Sequence, residues 1–380
     1  MPAPTRHWPP DLAYVNSGTQ NWLRRLALLL IVLVALFLPG PARTGTATAG
    51  RQLITTNPLI GVHTRLTDEV EEWKIANTLQ MARSMGASWI VEYFPWAYGE
   101  PERGKFNWSH SDLVIKYAAA QGLNIVARID MVPPWARPPD TSAQYLEPSH
   151  YRDYADFVVA FAARYRGQVR YYVIWNEVNT SFEWGYRAPN PAEYVQMLKT
   201  VYPRLKAVDP EAQVLPAAMA PTLENSQWAM ADLSYLQQMY DLGAAAYFDV
   251  MNVHAYGGRF PPDDPPAPDR LNYARVMLVR ELMERNGDGN KKVIITEAGW
   301  NDHPRWTRAV RPGQRIQYTV RAYEKAQQEW PWLLAVNMWC FRLPRPAHNF
   351  NDYFTFLGVD FRPKAVYQAV QAYAQPRSTR

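Results

Sequence analysis

Residues 59–66 read Leu59-Ile60-Gly61-Val62-His63-Thr64-Arg65-Leu66, and the fold turns on how this stretch ends. Leu59 to Val62 is a short apolar run that suits a buried strand. In a doubly wound open sheet the first strand is usually followed by a glycine-rich phosphate turn. The turn here, His63-Thr64-Arg65-Leu66, contains no glycine. Outward from it a strand-then-helix rhythm repeats. Thr67 is placed to cap a helix that carries Asp68 and Glu69 in its first turn and ends at Gly86. Trp89-Ile90-Val91 is the second apolar run, with a helix from about Ser111 to Gly122 after it. Further strands are expected at Asn124 to Ile129, Tyr171 to Trp175, from Gln213 to Leu215, Phe248 to Val253, Lys292 to Ile295 and Leu334 to Trp339. One helix between them shows its core face plainly, with Tyr154, Phe157, Val158, Phe161, Ala162 and Tyr165 at helical spacing. Another opens at Asn190-Pro191, a cap and first-turn pair. The series closes with a helix from Pro363 to Ala374. Eight such units over about 320 residues predict an α/β fold, a (β/α)8 TIM barrel, between residues 57 and 375. Continuous apolar runs, rather than alternations, suit parallel strands covered by helices.

Composition narrows the function classes. Of 380 residues, 48% are hydrophobic and 20% charged, enough to bury a large core. The single cysteine, Cys340, excludes an intrachain disulfide framework, a cysteine zinc site and a CxxC redox pair. A net charge of +5, scattered and without a basic run, gives no footing for nucleic acid. The seven histidines, His7, His63, His110, His150, His254, His303 and His348, show no metal-ligand spacing, so neither metal nor cofactor is expected. No GxxxxGK[ST], GxSxG or HExxH motif occurs.

The first fifty residues read as a leader. Leu26 to Leu38 are thirteen consecutive apolar residues behind Arg24-Arg25, with Pro39-Gly40-Pro41 after them. A spanning helix needs ~20 apolar residues. The run therefore suits the core of an export signal, with an A-x-A site at Ala47-Thr48-Ala49, or an uncleaved signal anchor. The expectation is a secreted or anchored protein that works outside the cytoplasm, a monomer that meets the membrane only through this segment.

The polar interruptions carry the chemistry. The fourth strand runs out as Trp175-Asn176-Glu177-Val178-Asn179, and the seventh as Thr296-Glu297-Ala298-Gly299-Trp300. Each places a glutamate behind a buried β-branched run, where a carboxylate is costly without a task or a partner. In a barrel, chemistry sits at the carboxyl ends of the strands. The 120 residues between Glu177 and Glu297 make three units of about forty, so the two can converge across the mouth. Two facing carboxylates among aromatics fit glycosidic bond cleavage, one as acid and one as nucleophile. A single strand-end glutamate would be read as an ion-pair partner; two at this spacing favour catalysis.

Trp175-Asn176-Glu177 and Thr296-Glu297-Ala298-Gly299-Trp300 resemble the acid/base and nucleophile motifs of the retaining glycoside hydrolases of clan A. Within the clan the chain is similar to the family 39 and family 5 enzymes, from about Leu59 to Tyr373. Phe94-Pro95-Trp96, followed by Glu100-Pro101-Glu102-Arg103-Gly104-Lys105-Phe106-Asn107-Trp108, resembles the "EPxxGxYxW" stretch after their second strand. The resemblance implies a carbohydrate substrate and double displacement. It implies that Asn176 holds the sugar 2-hydroxyl, Tyr256 donates to Glu297, His254 lines the same wall and Trp339 lies under the sugar. Trp300, Trp135 and Trp96 are further aromatic candidates, each of which could instead be loop packing. The chain departs from the pattern in having Val178 where many clan members have proline. Val91 stands where many carry an arginine, so that either Arg65 or Arg128 supplies the charge from a neighbouring strand or the support is missing. The proline-rich loops Met131 to Ser149 and Gly257 to Asp269 are expected to wall a cleft suited to an oligo- or polysaccharide. The reading from another class is an exported carbohydrate-binding barrel without turnover, which would not need both carboxylates.

Overall fold

A computed structural model describes residues 55–376 of the chain. The apolar run at 26–38 and the A-x-A site lie outside the described residues. Among those described, no helix is long and apolar enough to cross a membrane.

Each strand is followed by a main helix. The first four units pair β1 (Ile60–His63) with α1 (Glu72–Met85), β2 (Trp89–Tyr93) with α2 (Ser109–Ala120), β3 (Asn124–Ile129) with α3 (Tyr151–Arg164) and β4 (Tyr171–Ile174) with α4 (Pro191–Val208). The second four pair β5 (Gln213–Pro216) with α5 (Asp232–Asp241), β6 (Met251–Tyr256) with α6 (Val276–Arg285), β7 (Val293–Gly299) with α7 (Pro312–Glu329) and β8 (Leu333–Met338) with α8 (Ala365–Ala374). The strands form one parallel sheet in the order β5-β4-β3-β2-β1-β8-β7-β6. Between β5 and β6 there is no regular ladder. That seam is closed by the Asp249 and Val250 amides, which donate to the Val214 carbonyl at 2.8 and 3.3 Å. The Asp249 carboxylate in turn accepts from the Val214 amide at 2.9 Å. The result is a nearly closed TIM barrel.

Two apolar layers hold it together. Trp89, Val91, Val126, Val173, Leu215, Val250, Ile294 and Ala335 form a separate cluster, one or two from each of six strands together with Val250 just before β6, which fills the barrel. Gly61 belongs to this crowded interior on β1. A Cβ there would stand 2.1 Å from Asn337 Oδ1 and 2.9 Å from Trp89 Cβ. Alternate strand residues such as Ile90 and Ile125 pack outward with the helices. The face of α3 that was legible at helical spacing is buried as expected. The Asn190 side chain caps α4, accepting from the Ala192 and Glu193 amides at 3.1 and 3.2 Å. Gly86 closes α1 in the left-handed conformation, at φ 110°.

Thr67 is a correction. The helix begins at Glu72, and Thr67 does not cap it. Its hydroxyl donates to Glu92 on β2 at 3.0 Å and to the Tyr93 carbonyl at 2.6 Å. Glu92 also accepts from the Leu66 and Thr67 amides and from the Thr64 hydroxyl. A buried carboxylate thus ties the β1 turn to the second strand.

The "EPxxG" stretch is held by packing. The Glu100 carboxylate accepts from Trp96 Nε1 and from the Gly104 amide, both at 2.7 Å. Phe106 and Trp108 stack 5.1 Å apart at 13°, against Phe157 of α3.

Candidate active site

The carboxyl ends of the strands open into a cavity of about 760 Å³. Asn176, Glu177, Tyr256, Glu297, Trp300 and Trp339 line it, with Arg65 and Arg128 among the other walls. At the end of β4 the backbone makes an unusual corner. Trp175 and Glu177 both adopt positive φ, 75° and 36°, a conformation that costs a non-glycine residue ~1–3 kcal/mol. The corner is held from outside: Trp175 Nε1 donates to the Glu183 carbonyl at 2.7 Å, and the Glu177 amide to the Ala218 carbonyl at 3.0 Å. The turn carries Asn176 and Glu177 off the strand and into the cavity.

On the far wall, β7 carries Glu297 inside the strand rather than after it. The ladder with β6 slips at this point: Val253 pairs with Ile295, but His254 pairs with Glu297. Thr296 is the extra residue, and its hydroxyl donates to Asn252 Oδ1 at 2.6 Å. Such a bulge re-aims the next side chain, and here it turns Glu297 towards β6 and the cavity.

Four side chains define the electrostatics of Glu297. The Tyr256 hydroxyl donates to Oε2 at 2.7 Å. Arg128 Nη1 donates to Oε1 at 3.3 Å, and its Nε sits 3.2 Å from Asp130. His254 Nδ1 is 3.9 Å from Oε2. His63 Nε2 lies 3.5 Å from Oε1. Burial alone would raise the Glu297 carboxyl, but His254, Arg128 and the Tyr256 bond outweigh it and hold the group well below the carboxylate range. The role of His63 differs. Burial pushes its imidazole down to about 3 against the pull of Glu297, so it is neutral at neutral pH. Its Nδ1 is 2.7 Å from the Thr64 carbonyl and must donate there. Nε2 therefore presents a lone pair, has no hydrogen-bond partner, and adds no cation to Glu297.

Glu177 stands opposite. One oxygen of each carboxylate and an imidazole nitrogen of His254 lie within 4.8 Å of one another. His254 Nδ1 is 2.7 Å from Glu177 Oε1, close enough that a proton is shared between them. Burial opposes the His254 imidazolium, yet Glu297 and Glu177 together raise it. Among the described residues this is also the one grouping that could offer ligands to a metal. Arg128, already against Glu297, puts a fixed positive charge where a cation would have to bind.

The structure brings Asn176, Tyr256, His254 and Trp339 around the glutamate pair. Trp339 meets Phe354 edge-on, at 5.3 Å. Trp300 reaches the cavity wall but is 2% exposed, its Nε1 donating to the Phe260 carbonyl at 2.7 Å. Trp135 is not among the cavity-lining residues. It packs edge-on against Trp96, and its Nε1 donates to the Glu100 carbonyl. Of the two proline-rich loops, Gly258, Arg259, Phe260 and Asp269 of the second line the cavity, and no residue of Met131 to Ser149 does.

Three residues had escaped the sequence reading. Glu183 lines the cavity as a third acid, hydrogen-bonded to the Asn176 side chain. Burial, helped by Asp130, raises its carboxyl to about 8, so it carries a proton at neutral pH. Asp130 sits buried beneath Arg128, and His63 stands behind Glu297. No sequence signal marked Glu183 or Asp130; the position of His63 at the end of β1 was the only hint for that residue.

Comparisons with solved structures place the architecture. A family 39 glycoside hydrolase from the gut symbiont Bacteroides cellulosilyticus WH2 superposes with a TM-score of 0.69 at 20% identity, over 85% of this chain and 64% of that one. The fold is that of the glycoside hydrolase barrels. A GH5_18 protein from Streptomyces cattleya, solved in complex with GlcNAc, gives 0.61 at 16% identity, over 84% and 80%. A glucosidase from Croceicoccus marinus gives 0.61 at 14%, over 84% and 67%. The chain thus spans less than two thirds of the family 39 protein. No protein-family profile matches the chain, and no curated protein does.

Proposed function

We propose that the chain is a retaining glycoside hydrolase that cleaves O-glycosidic bonds of an oligo- or polysaccharide. The observation that carries this is the approach of Glu177 and Glu297, with oxygens within 4.8 Å of one another at the barrel mouth. Retaining enzymes hold their carboxyl groups ~5–5.5 Å apart, and inverting enzymes ~6.5–9.5 Å apart to admit a water. The environments also divide the labour. Glu297, beside Arg128 and Tyr256, stays ionised and serves as nucleophile on the anomeric carbon. Glu177, 2.7 Å from His254 Nδ1, delivers the proton that the pair shares to the departing glycosidic oxygen. In the second half, Glu177 takes a proton from water, the hydroxide displaces the Glu297 ester, and both carboxyls return to their starting states. Asn176 stands where the ring hydroxyls pass, and Trp339 offers an apolar face to the sugar.

Export remains part of the proposal on the strength of the sequence: the basic and apolar leader argues for work outside the cytoplasm, secreted or anchored. Hydrolysis of a panel of β-linked glycans, with the anomer of the first product followed by proton NMR, tests the enzymatic reading. A β-product that appears first, and is lost in Glu297→Ala, is the expected result. An α-product would end the retaining mechanism. Binding with no turnover on any member would favour a carbohydrate-binding barrel.

A further inference from the structure

The cavity extends beyond the glutamates over the loops that follow β6, β7 and β8, and this outer part is built from a different set of side chains. Trp306 and Phe350 stack with ring centroids 5.0 Å apart at 10°. Phe354 links this stack to the site, meeting Trp306 at 6.0 Å, Trp339 at 5.3 Å and Tyr256 at 5.7 Å. Phe350 is 40% exposed although it lines the cavity. Its backbone is nonetheless pinned. Asn301 donates to the Phe350 carbonyl at 2.6 Å, Asn349 accepts from the Asn351 amide at 2.8 Å, and Asp352 accepts from the Ala347 amide at 2.8 Å. An aromatic ring held rigidly with one face to a polar cavity is the arrangement that receives a flat apolar partner.

Charge completes the picture. Arg259 and Arg308 line the same cavity, both exposed. Neither finds an acidic partner among the described residues; Asp269 lines the same cavity as an exposed carboxylate without an ion pair, while three other acids of these loops are already engaged. Asp264 holds Arg270 at 3.0 Å, Asp302 holds Arg315 at 3.3 Å, and Asp263 holds Arg321 at 2.8 Å. A guanidinium without a carboxylate partner keeps its donor fork free for a planar or tetrahedral anion.

We propose that the β6, β7 and β8 loops form a second sugar subsite, in which Phe350 carries a sugar ring while Arg308 and Arg259 hold an anionic substituent on the glycan. This deepens the glycosidase reading and rests on it for the bond that is cut. The substituent is a uronate carboxylate or a sulfate ester, which share the chemistry of a multidentate oxyanion. Because both arginines sit at the exposed rim, the attraction falls with salt.

The test separates binding from turnover. Glu297→Gln chain is titrated with a panel of β-linked glycans, each as the uronate form, the carboxyl-reduced form, the sulfated form and the desulfated form. The expected result is at least tenfold tighter binding of one charged form than of its neutral counterpart at low salt, with the gap closing as sodium chloride is added. Arg259→Gln/Arg308→Gln should erase the gap and spare the neutral forms. Phe350→Ala should weaken charged and neutral forms together. Whichever of the carboxylate and sulfate arms shows the gap names the substituent. Equal binding of charged and neutral forms, a gap that survives the arginine changes, or no binding by any member would overturn the subsite. Turnover by the unaltered chain is scored separately. Hydrolysis without charge preference sinks the subsite alone, and charge-selective binding without hydrolysis sinks the glycosidase reading alone.

Discussion

The hydroxyl of Tyr256 and the guanidinium of Arg128 grip opposite oxygens of one carboxylate, at 2.7 Å on Glu297 Oε2 and 3.3 Å on Oε1. Tyr256 ends β6, beside β7, and Arg128 stands on β3, four strands away in the sheet order, so the aim of Glu297 is set from two sides.

Tyr256→Phe removes one grip and leaves the ring. A hydrogen bond to a charged group is worth ~1.5–3 kcal/mol, so kcat/KM should fall by about 10- to 150-fold. The bond also favours the ionised carboxylate, so its loss should move the acid limb of the pH–rate profile to higher pH. A profile that stays in place with an unchanged rate would mean that Tyr256 only packs there.

The glutamates should separate by chemistry. Glu297→Ala should abolish turnover of every substrate. Glu177→Ala should lose ~10²–10⁴-fold on poor leaving groups, yet still form the intermediate from an activated aryl glycoside and then stall. Azide should release that stalled chain as a glycosyl azide of retained configuration, and give inverted product with Glu297→Ala. Equal losses on all leaving groups, without rescue of either variant, would contradict these roles.

Stability should carry the imprint of Glu297. Its folded value is held below the ordinary 4.5, so the stabilisation is present above pH 4.5 and is lost as pH falls through the lowered value. Urea unfolding across this window should show a pH-dependent loss in the unaltered chain that Glu297→Gln lacks. Parallel curves for the two would refute it.

Gly257 is the place to disturb the wall. A Cβ there would lie 2.0 Å from Trp300 Cε2. Gly257→Ala should cost ~1–3 kcal/mol by overpacking and shift the Trp300 fluorescence towards that of a wetter indole. Unaltered melting and emission would show that the loop yields without strain.

The eight-fold rhythm, the glutamate pair and most of its surroundings were legible because each leaves a local mark: an apolar run, a polar break, a helical stripe. The misplacements share a cause, which is that partners distant in sequence decide local structure. Thr67 has the side chain of a cap, but Glu92 claims it from the next strand. Thr296-Glu297 looks like a terminus that ends β7 at Ile295, whereas the bulge against β6 carries the ladder on to Gly299. Apolarity alone puts β6 at Phe248 to Val253, while the strand runs on through His254 to Tyr256. The sequence leaves the missing charge to Arg65, to Arg128 or to neither, and only the third dimension selects Arg128, through Glu297 and Asp130. Glu183 lies in a loop where an acid is unremarkable until its neighbours are known.

The seam between β5 and β6 gives the barrel a direction in which to breathe. Glu177 stands on one side of it, at the end of β4, and His254 and Glu297 on the other. The 2.7 Å bond from His254 to Glu177 therefore works as a clasp across the least stitched line of the wall. A ligand that touches both glutamates would tighten this clasp. Amide exchange along β5 and β6 should slow when it binds, and heating should separate the two carboxylates before the rest of the barrel comes apart.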